Sequence, residues 1–193
     1  MSSLPDLSDA VTAAQNLLGW KLVHETEDGR TAGYIVEAEA YSQEEPSSHT
    51  YRGKTKRNQV MFEHAGLVYV YFTYGMHYCV NIVTGEEGHG QAVLLRALEP
   101  VDGIELMMRR RQKTDVRKLT NGPANLVQAM GITMSNYSDD VLDSQGLYLE
   151  PGIKPEKIIK TTRIGIRVGV DLPWRFYIAD NQFVSKLAKN RNL

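Results

Sequence analysis

The sequence predicts a mixed α/β (α+β) fold: a largely antiparallel sheet with a few flanking helices. Three observations predict it. Short runs rich in Val, Tyr, Phe and Ile recur between glycine-bearing turns, as strands do. Helical stripes are few, and those that occur carry capping signals. The regular strand–helix–strand alternation of a doubly wound fold is missing. The 193 residues are 42% hydrophobic, enough for one substantial core, and no linker, repeat or low-complexity tract divides them. A single domain over 1–193 is expected.

The elements follow in chain order. Ser8 precedes an apolar stripe at Val11, Ala14, Leu17 and Leu18, and Gly19 closes it, so a helix capped by Ser8 is expected. Trp20 to His24 alternates apolar and polar residues, and with Gly33 to Tyr41 it reads as a hairpin turning at Asp28-Gly29. Alternation then puts Ile35, Glu37, Glu39 and Tyr41 on one face, and Tyr34, Val36, Ala38 and Ala40 on the other. Strands are expected at 67–73 and 77–83, with Tyr74-Gly75-Met76 as the tip between them, and another at 91–98. A helix should follow Pro100 and run to about Gln112, with Ile104, Met107 and Met108 inward; a second should open at Asn121 and Pro123 and end at Gly131. Further strands are expected near 147–149, 163–170 and 174–178, then a short C-terminal helix carrying Val184, Leu187 and Ala188.

The formal net charge is -1, so any nucleic-acid surface has to come from local clustering of cations. Cys79 is the lone cysteine, which leaves no internal disulfide and no cysteine-rich zinc site. The start MSSLPDLSDA lacks a basic region followed by an apolar core, and the apolar runs are too short to span a membrane. An unsecreted cytoplasmic protein is expected, associated with the nucleoid if the source is bacterial.

Four sets of residues could carry chemistry. Glu37 and Glu39 put two carboxylates on one strand face beside Tyr41. Arg52, Lys54, Lys56 and Arg57 crowd one loop, and Arg109, Arg110, Arg111, Lys113, Arg117 and Lys118 form a second block. Each block reads either as a solvated loop or helix end, or as a surface that neutralises phosphates. Tyr69, Tyr71 and Tyr74 are either ordinary sheet aromatics or a stacking platform with a wedge at its tip. Asn81 and Arg96 interrupt apolar strands, where an unpaired polar group is costly; they belong to a pocket or to structural pairs, Arg96 with Glu37 or Glu39. The histidines, His49 among them, show no metal-ligand spacing, and GEEGHGQ at 85–91 lacks the Lys and Ser/Thr of a phosphate loop.

The ordered series Glu39-Ala40-Tyr41, His49, Lys56-Arg57-Asn58, Met61-Phe62, Tyr69-Val70-Tyr71, Tyr74-Gly75-Met76, Asn81, Leu94 to Pro100 and Asn121-Gly122-Pro123 resembles the alkyladenine (3-methyladenine) DNA glycosylase family. The resemblance runs from about Ala14 to Tyr177. It implies one mixed α/β domain on a curved, largely antiparallel sheet, with no metal and no organic cofactor. It implies a monomeric, monofunctional glycosylase that flips an alkylated or deaminated purine out of double-stranded DNA. Water would then release the base and leave an abasic site.

Roles follow at matching positions. Glu39 activates the water and Arg96 helps to hold it. Tyr41, His49, Tyr71 and Asn81 form the base pocket. Tyr74 fills the gap in the duplex. Met76 and Asn58 are expected beside the DNA, and the clustered charges of Arg52, Lys54, Lys56 and Arg57 mark that loop as a further DNA contact. The chain departs from the family pattern in a shorter Tyr41–His49 loop, reading SQEEPSS, in Ala124-Asn125 after Pro123, and in a loose match at Arg163-Ile164-Gly165, which receives no role. Two other functions fit the same residues: a non-catalytic nucleic-acid binder, and a small-molecule hydrolase or formyl transferase with a Glu–Arg–His pocket.

Overall fold

A computed structural model describes residues 4–73, 75–143 and 145–185. They build one eight-stranded antiparallel sheet, curled into a half-barrel, with three α-helices. The elements are α1 (Ala10–Asn16), β1 (Lys21–Thr26), β2 (Gly29–Ser42), β3 (Val68–Thr73), β4 (His77–Val83), β5 (Gln91–Asp102), α2 (Ile104–Arg111), α3 (Pro123–Met130), β6 (Leu147–Glu150), β7 (Ile158–Thr161) and β8 (Arg175–Ile178). The sheet order is β3-β4-β5-β2-β1-β6, with β8 pairing both β2 and β7.

The long strand β2 organises the sheet. Ala32–Ser42 pair with β5, Gly29–Tyr34 pair with β1, and Glu37–Glu39 pair with β8. Two register shifts at Ile35–Ala38 break the ladder where the outer partner changes from β1 to β8. Such bulges increase local twist, which suits a sheet that must curl.

Alternation divides the sheet into two faces with different tasks. The row Ala40–Val93–Ile82–Val68 crosses β2, β5, β4 and β3 and lies in the main core. Ala38 and Ala40 are small enough for Ala10, Ala13 and Ala14 of α1 to join that core, and α3 adds Leu126, Val127, Ala129 and Met130. The next row, Glu39–Leu94–Asn81–Tyr69, faces the other way. A second apolar cluster of Val60, Met61, Phe62, Leu67, Tyr69, Val83 and Ala92 supports that side.

Several expectations need correction. Asp9, and not Ser8, caps α1: its carboxylate accepts from the N–H groups of Val11 and Thr12. The first hairpin turns one residue earlier than expected, with Thr26 paired to Gly29. β5 runs through Pro100 to Asp102, because a register shift at Ala32/Gly33 accommodates a residue with no N–H to donate. α2 therefore starts at Ile104.

The segment 163–170 is not a strand. Gly165 and Gly169 take φ +81° and +63°, which an extended ladder does not permit, and the run from Ile164 to Val168 lines a cavity. The strand β7 was not anticipated, since Ile158–Thr161 is short and half exposed. Of the expected C-terminal helix, Val184 packs against the core, while Leu187 and Ala188 lie outside the described residues. Among the described residues, no helix is long and apolar enough to cross a membrane.

Candidate active site

The second face of the sheet opens onto a cavity of about 570 Å3, within the ~300–1,000 Å3 usual for small-molecule sites. Tyr41 from β2, Leu94 and Arg96 from β5, Asn81 from β4 and Tyr71 from β3 contribute to its lining. The loop from Ile164 to Val168 closes one side, and His49 and Arg57 stand on another.

Glu39 is fully buried, and three groups hold its carboxylate. The Tyr41 hydroxyl donates to Oε2 at 2.9 Å, the Ile164 N–H donates to Oε1 at 2.8 Å, and Arg96 Nη1 lies 3.3 Å from Oε1. All three belong to residues that line the cavity. Burial, then the neighbouring Glu39 charge, pushes the Tyr41 phenol far above its ordinary pKa, so it remains a donor to the carboxylate.

The second acid, Glu37, is fully buried one step along the same strand. Its Oε1 accepts from Arg96 Nε at 3.0 Å, Arg175 Nε at 2.6 Å and the Ser185 hydroxyl at 2.8 Å, while Oε2 takes the Ser185 N–H at 2.6 Å. Arg96 thus bridges the two acids, answering both sequence alternatives at once: it is paired, and it lines the cavity. Burial opposes its charge, but Glu39 and Glu37 together outweigh that, and its pKa is raised.

The aromatic wall is a packed group. Tyr69 and Tyr71 stack with ring centres 5.4 Å apart, and His49 meets Tyr71 edge-on at 4.6 Å. The Tyr69 hydroxyl is 3.0 Å from His49 Nδ1, which fixes the imidazole against the wall. Burial and then the Arg57 charge lower the His49 pKa, which favours the neutral ring, although the residue keeps an exposed surface. Burial pushes the Tyr69 phenol up to about 12 and raises that of Tyr71 further. Asn81 spends its amide N–H on the Tyr69 carbonyl at 3.1 Å, with its side chain held at the cavity floor. Asn81 and Leu94 pair across strands, which sets that floor in the same row as Glu39.

Beside the cavity, Arg52, Lys54, Lys56 and Arg57 are all exposed. Arg57 lies over the Tyr71 ring at 5.4 Å and joins the basic loop to the aromatic wall. Asn58, expected to contact DNA, is instead turned into the loop. It is buried, and its amide is spent on the carbonyls of His49 and Gly53 and on both the N–H and hydroxyl of Thr55. It shapes the basic loop from beneath.

The other basic block is largely committed to structure. Arg110 bonds the Ala129 carbonyl and the Thr26 hydroxyl, Arg111 bonds the Leu119 carbonyl, and Arg117 pairs with Asp115. Met76 is 70% exposed on the β3–β4 connection. Tyr74, expected as the wedge, lies outside the described residues.

Five residues that hold the two acids or one another were given no role in the reading of the sequence: Arg175, Ser185, Glu45, Arg163 and Ile164. Arg175 begins the apolar strand RFYI, and Arg163 begins the alternating run RIGIRVGV. A cation in an apolar strand needs a partner, as Arg96 does, and the same signal marks both. Among the described residues, no three of His, Cys, Asp or Glu cluster so as to hold a metal ion.

Fold and site together define a class: a mixed α/β protein whose curled sheet sets a held carboxylate against an aromatic cavity with an exposed basic loop alongside. A family model described as Methylpurine-DNA glycosylase (MPG) matches residues 6–182, and the chain belongs to that family of DNA glycosylases. Similar proteins assigned as 3-methyladenine DNA glycosylases occur in Methanoculleus marisnigri, 51% identical over 182 residues that cover 92% of this chain and 94% of the relative. A Carboxydothermus hydrogenoformans relative is 49% identical over 180 residues, covering 92% and 94%. One from Francisella tularensis is 47% identical over 180 residues, covering 91% and 93%.

Proposed function

We propose that this glycosylase excises alkylated or deaminated purines, of the 3-methyladenine, 7-methylguanine and hypoxanthine class, from double-stranded DNA. The observation that carries the reading is the placement of Glu39. Its carboxylate is held by the wall of a cavity lined by Tyr41, Tyr71 and His49, next to four exposed cations.

Flat rings can enclose an extruded base by stacking. Breaking the N-glycosidic bond sends its electron pair to the departing base and builds positive charge on the sugar. A carboxylate near that charge stabilises it and takes a proton from the attacking water as oxygen bonds to C1′. Arg96 assists by holding the water. A cationic base such as 3-methyladenine leaves as a neutral molecule, while neutral hypoxanthine needs protonation first. Water as the nucleophile yields an abasic site and leaves the strand intact.

In this reading Asn81 fills the floor, where the 2-amino group of an undamaged guanine would collide. Tyr74 occupies the gap left in the duplex and Met76 lies against the DNA beside it. Arg52, Lys54, Lys56 and Arg57 neutralise phosphates. The protein acts as a monomer in the cytoplasm, without metal or organic cofactor.

The test uses duplex oligonucleotides that each carry one lesion, incubated in the presence of a chelator. Strand breaks should appear at the lesion only after alkali. If no lesion yields an alkali-labile site while the duplex is still bound, the protein is a binder and the proposal fails. The basic loop gives a separate prediction. Lys54→Ala combined with Lys56→Ala should weaken duplex binding and flatten its dependence on log salt by up to about 0.9 per lost phosphate contact. An unchanged slope would remove those two lysines from the DNA surface.

A further inference from the structure

We infer that Arg163 is the positioning residue for Glu39, setting both hydrogen bonds that orient its carboxylate. The inference rests on the functional reading above.

Arg163 is a buried guanidinium with many attachments. It forms a two-pronged pair with Glu45, Nη1 to Oε1 at 2.6 Å and Nη2 to Oε2 at 2.8 Å. Nη1 also donates to the Ala40 carbonyl at 2.9 Å, and Nη2 to the Gly169 carbonyl at 3.3 Å. Its flat group stands 4.7 Å from the Tyr41 ring centre and 5.3 Å from that of Trp174. One side chain therefore ties together three segments: the strand that carries Glu39, the 42–48 loop and the 163–169 loop.

Two of those links end on the carboxylate. Tyr41, against which Arg163 packs, donates its hydroxyl to Oε2. Ile164, the next residue in the chain, donates its N–H to Oε1. The donors come from different parts of the sequence, and Arg163 contacts one and adjoins the other. A surface arginine gains little from an ion pair. This one gives up solvation, and its Nε has no hydrogen-bond partner, so its burial is not accounted for by pairing alone. Lysine cannot replace the planar fork that both stacks and binds Glu45 through two bonds.

The shortened loop takes on a purpose in the same picture. SQEEPSS supplies Glu45, and the hydroxyl and N–H of Ser47 also bond Glu45 Oε2. Loop 42–48 thus holds the acid that holds Arg163.

The experiment measures single-turnover base release at saturating enzyme, together with affinity for lesion duplex, in Arg163→Lys, Glu45→Gln and Tyr41→Phe. Arg163→Lys should slow release tenfold or more while affinity changes less than threefold. Glu45→Gln keeps the shape and one acceptor, so it should fold and show the same split to a smaller degree. Combining Arg163→Lys with Tyr41→Phe should cost less than the product of the separate losses, because one of the two donors is already gone.

A wild-type release rate in Arg163→Lys would overturn the inference. So would equal losses of rate and affinity, or full multiplicativity with Tyr41→Phe. If Arg163→Lys does not fold, Glu45→Gln decides alone by the same split. Glu39→Gln separates the two claims. If it releases base within tenfold of the wild-type rate, Glu39 is not the base and the catalytic reading on which the inference rests fails; if it is at least a thousandfold slower while Arg163→Lys is fully active, only the positioning role fails.

Discussion

Glu39→Gln should bind a lesion duplex nearly as tightly as the wild type and release base at least a thousandfold more slowly. The substitution is close to isosteric. An amide oxygen still accepts the Ile164 N–H, and the Tyr41 hydroxyl can turn to accept from the amide where it now donates to Oε2. What disappears is the negative charge and the basic oxygen. General-base catalysis alone is worth about 10²–10⁴ in rate, and loss of charge stabilisation adds to that. The aromatic wall and the basic loop are untouched, so affinity should change only a few-fold. Single-turnover release measured with enzyme in excess, beside a binding titration, checks both halves. Activity within tenfold of wild type would displace Glu39 from the role of base.

The largest loss of stability should come from Glu37→Ala. That carboxylate accepts from Arg96, Arg175 and both donors of Ser185, with none of its surface in water. Removing it leaves two buried guanidiniums short of a counter-charge. Breaking a buried pair in this way costs about 3–5 kcal/mol. For a chain of this size, a melting temperature lower by on the order of 10 °C follows.

Asp102→Ala is the control. Its partner Arg30 is more than a third exposed, as is Asp102 itself, and an exposed pair contributes under about 1 kcal/mol. Thermal unfolding of the two variants side by side tests the contrast. Equal shifts would mean that Glu37 is solvated or replaceable.

Much of the fold was legible because alternation is a local signal. GYIVEAEAY separates an apolar face from an acidic one with no knowledge of its neighbours, and the structure puts Val36, Ala38 and Ala40 in the core and turns Glu39 and Tyr41 toward the cavity; Ile35, read onto the acidic face, lies in the core because the bulge at Ile35–Ala38 breaks the alternation. Tyr74-Gly75-Met76 read as a hairpin tip because Gly75 can take the positive φ that a tight turn needs, and β3 and β4 pair on either side of it. The 163–170 segment failed because alternation does not distinguish a ladder from a loop whose apolar side chains line a hole.

In the site, Glu39, Tyr41, His49, Tyr71, Asn81 and Arg96 were all named, and the fold gathers them. The partners of those residues were not legible. Arg163 and Glu45 lie 118 positions apart, and Ser185 reaches Glu37 across 148. No periodicity encodes such pairings, since they come from how the sheet curls. Asn58 was misplaced for a related reason: an asparagine after two cations reads as surface, yet its amide is turned inward by the loop it closes.

The strand bearing Glu39 is laced along both edges at that point, to Leu94 on one side and Arg175 on the other. A ribbon stitched at both margins cannot lean outward without tearing the fabric around it. The carboxylate is consequently a fixed address, and under the proposed function every ångström between a stacked purine and that address has to be travelled by the nucleotide.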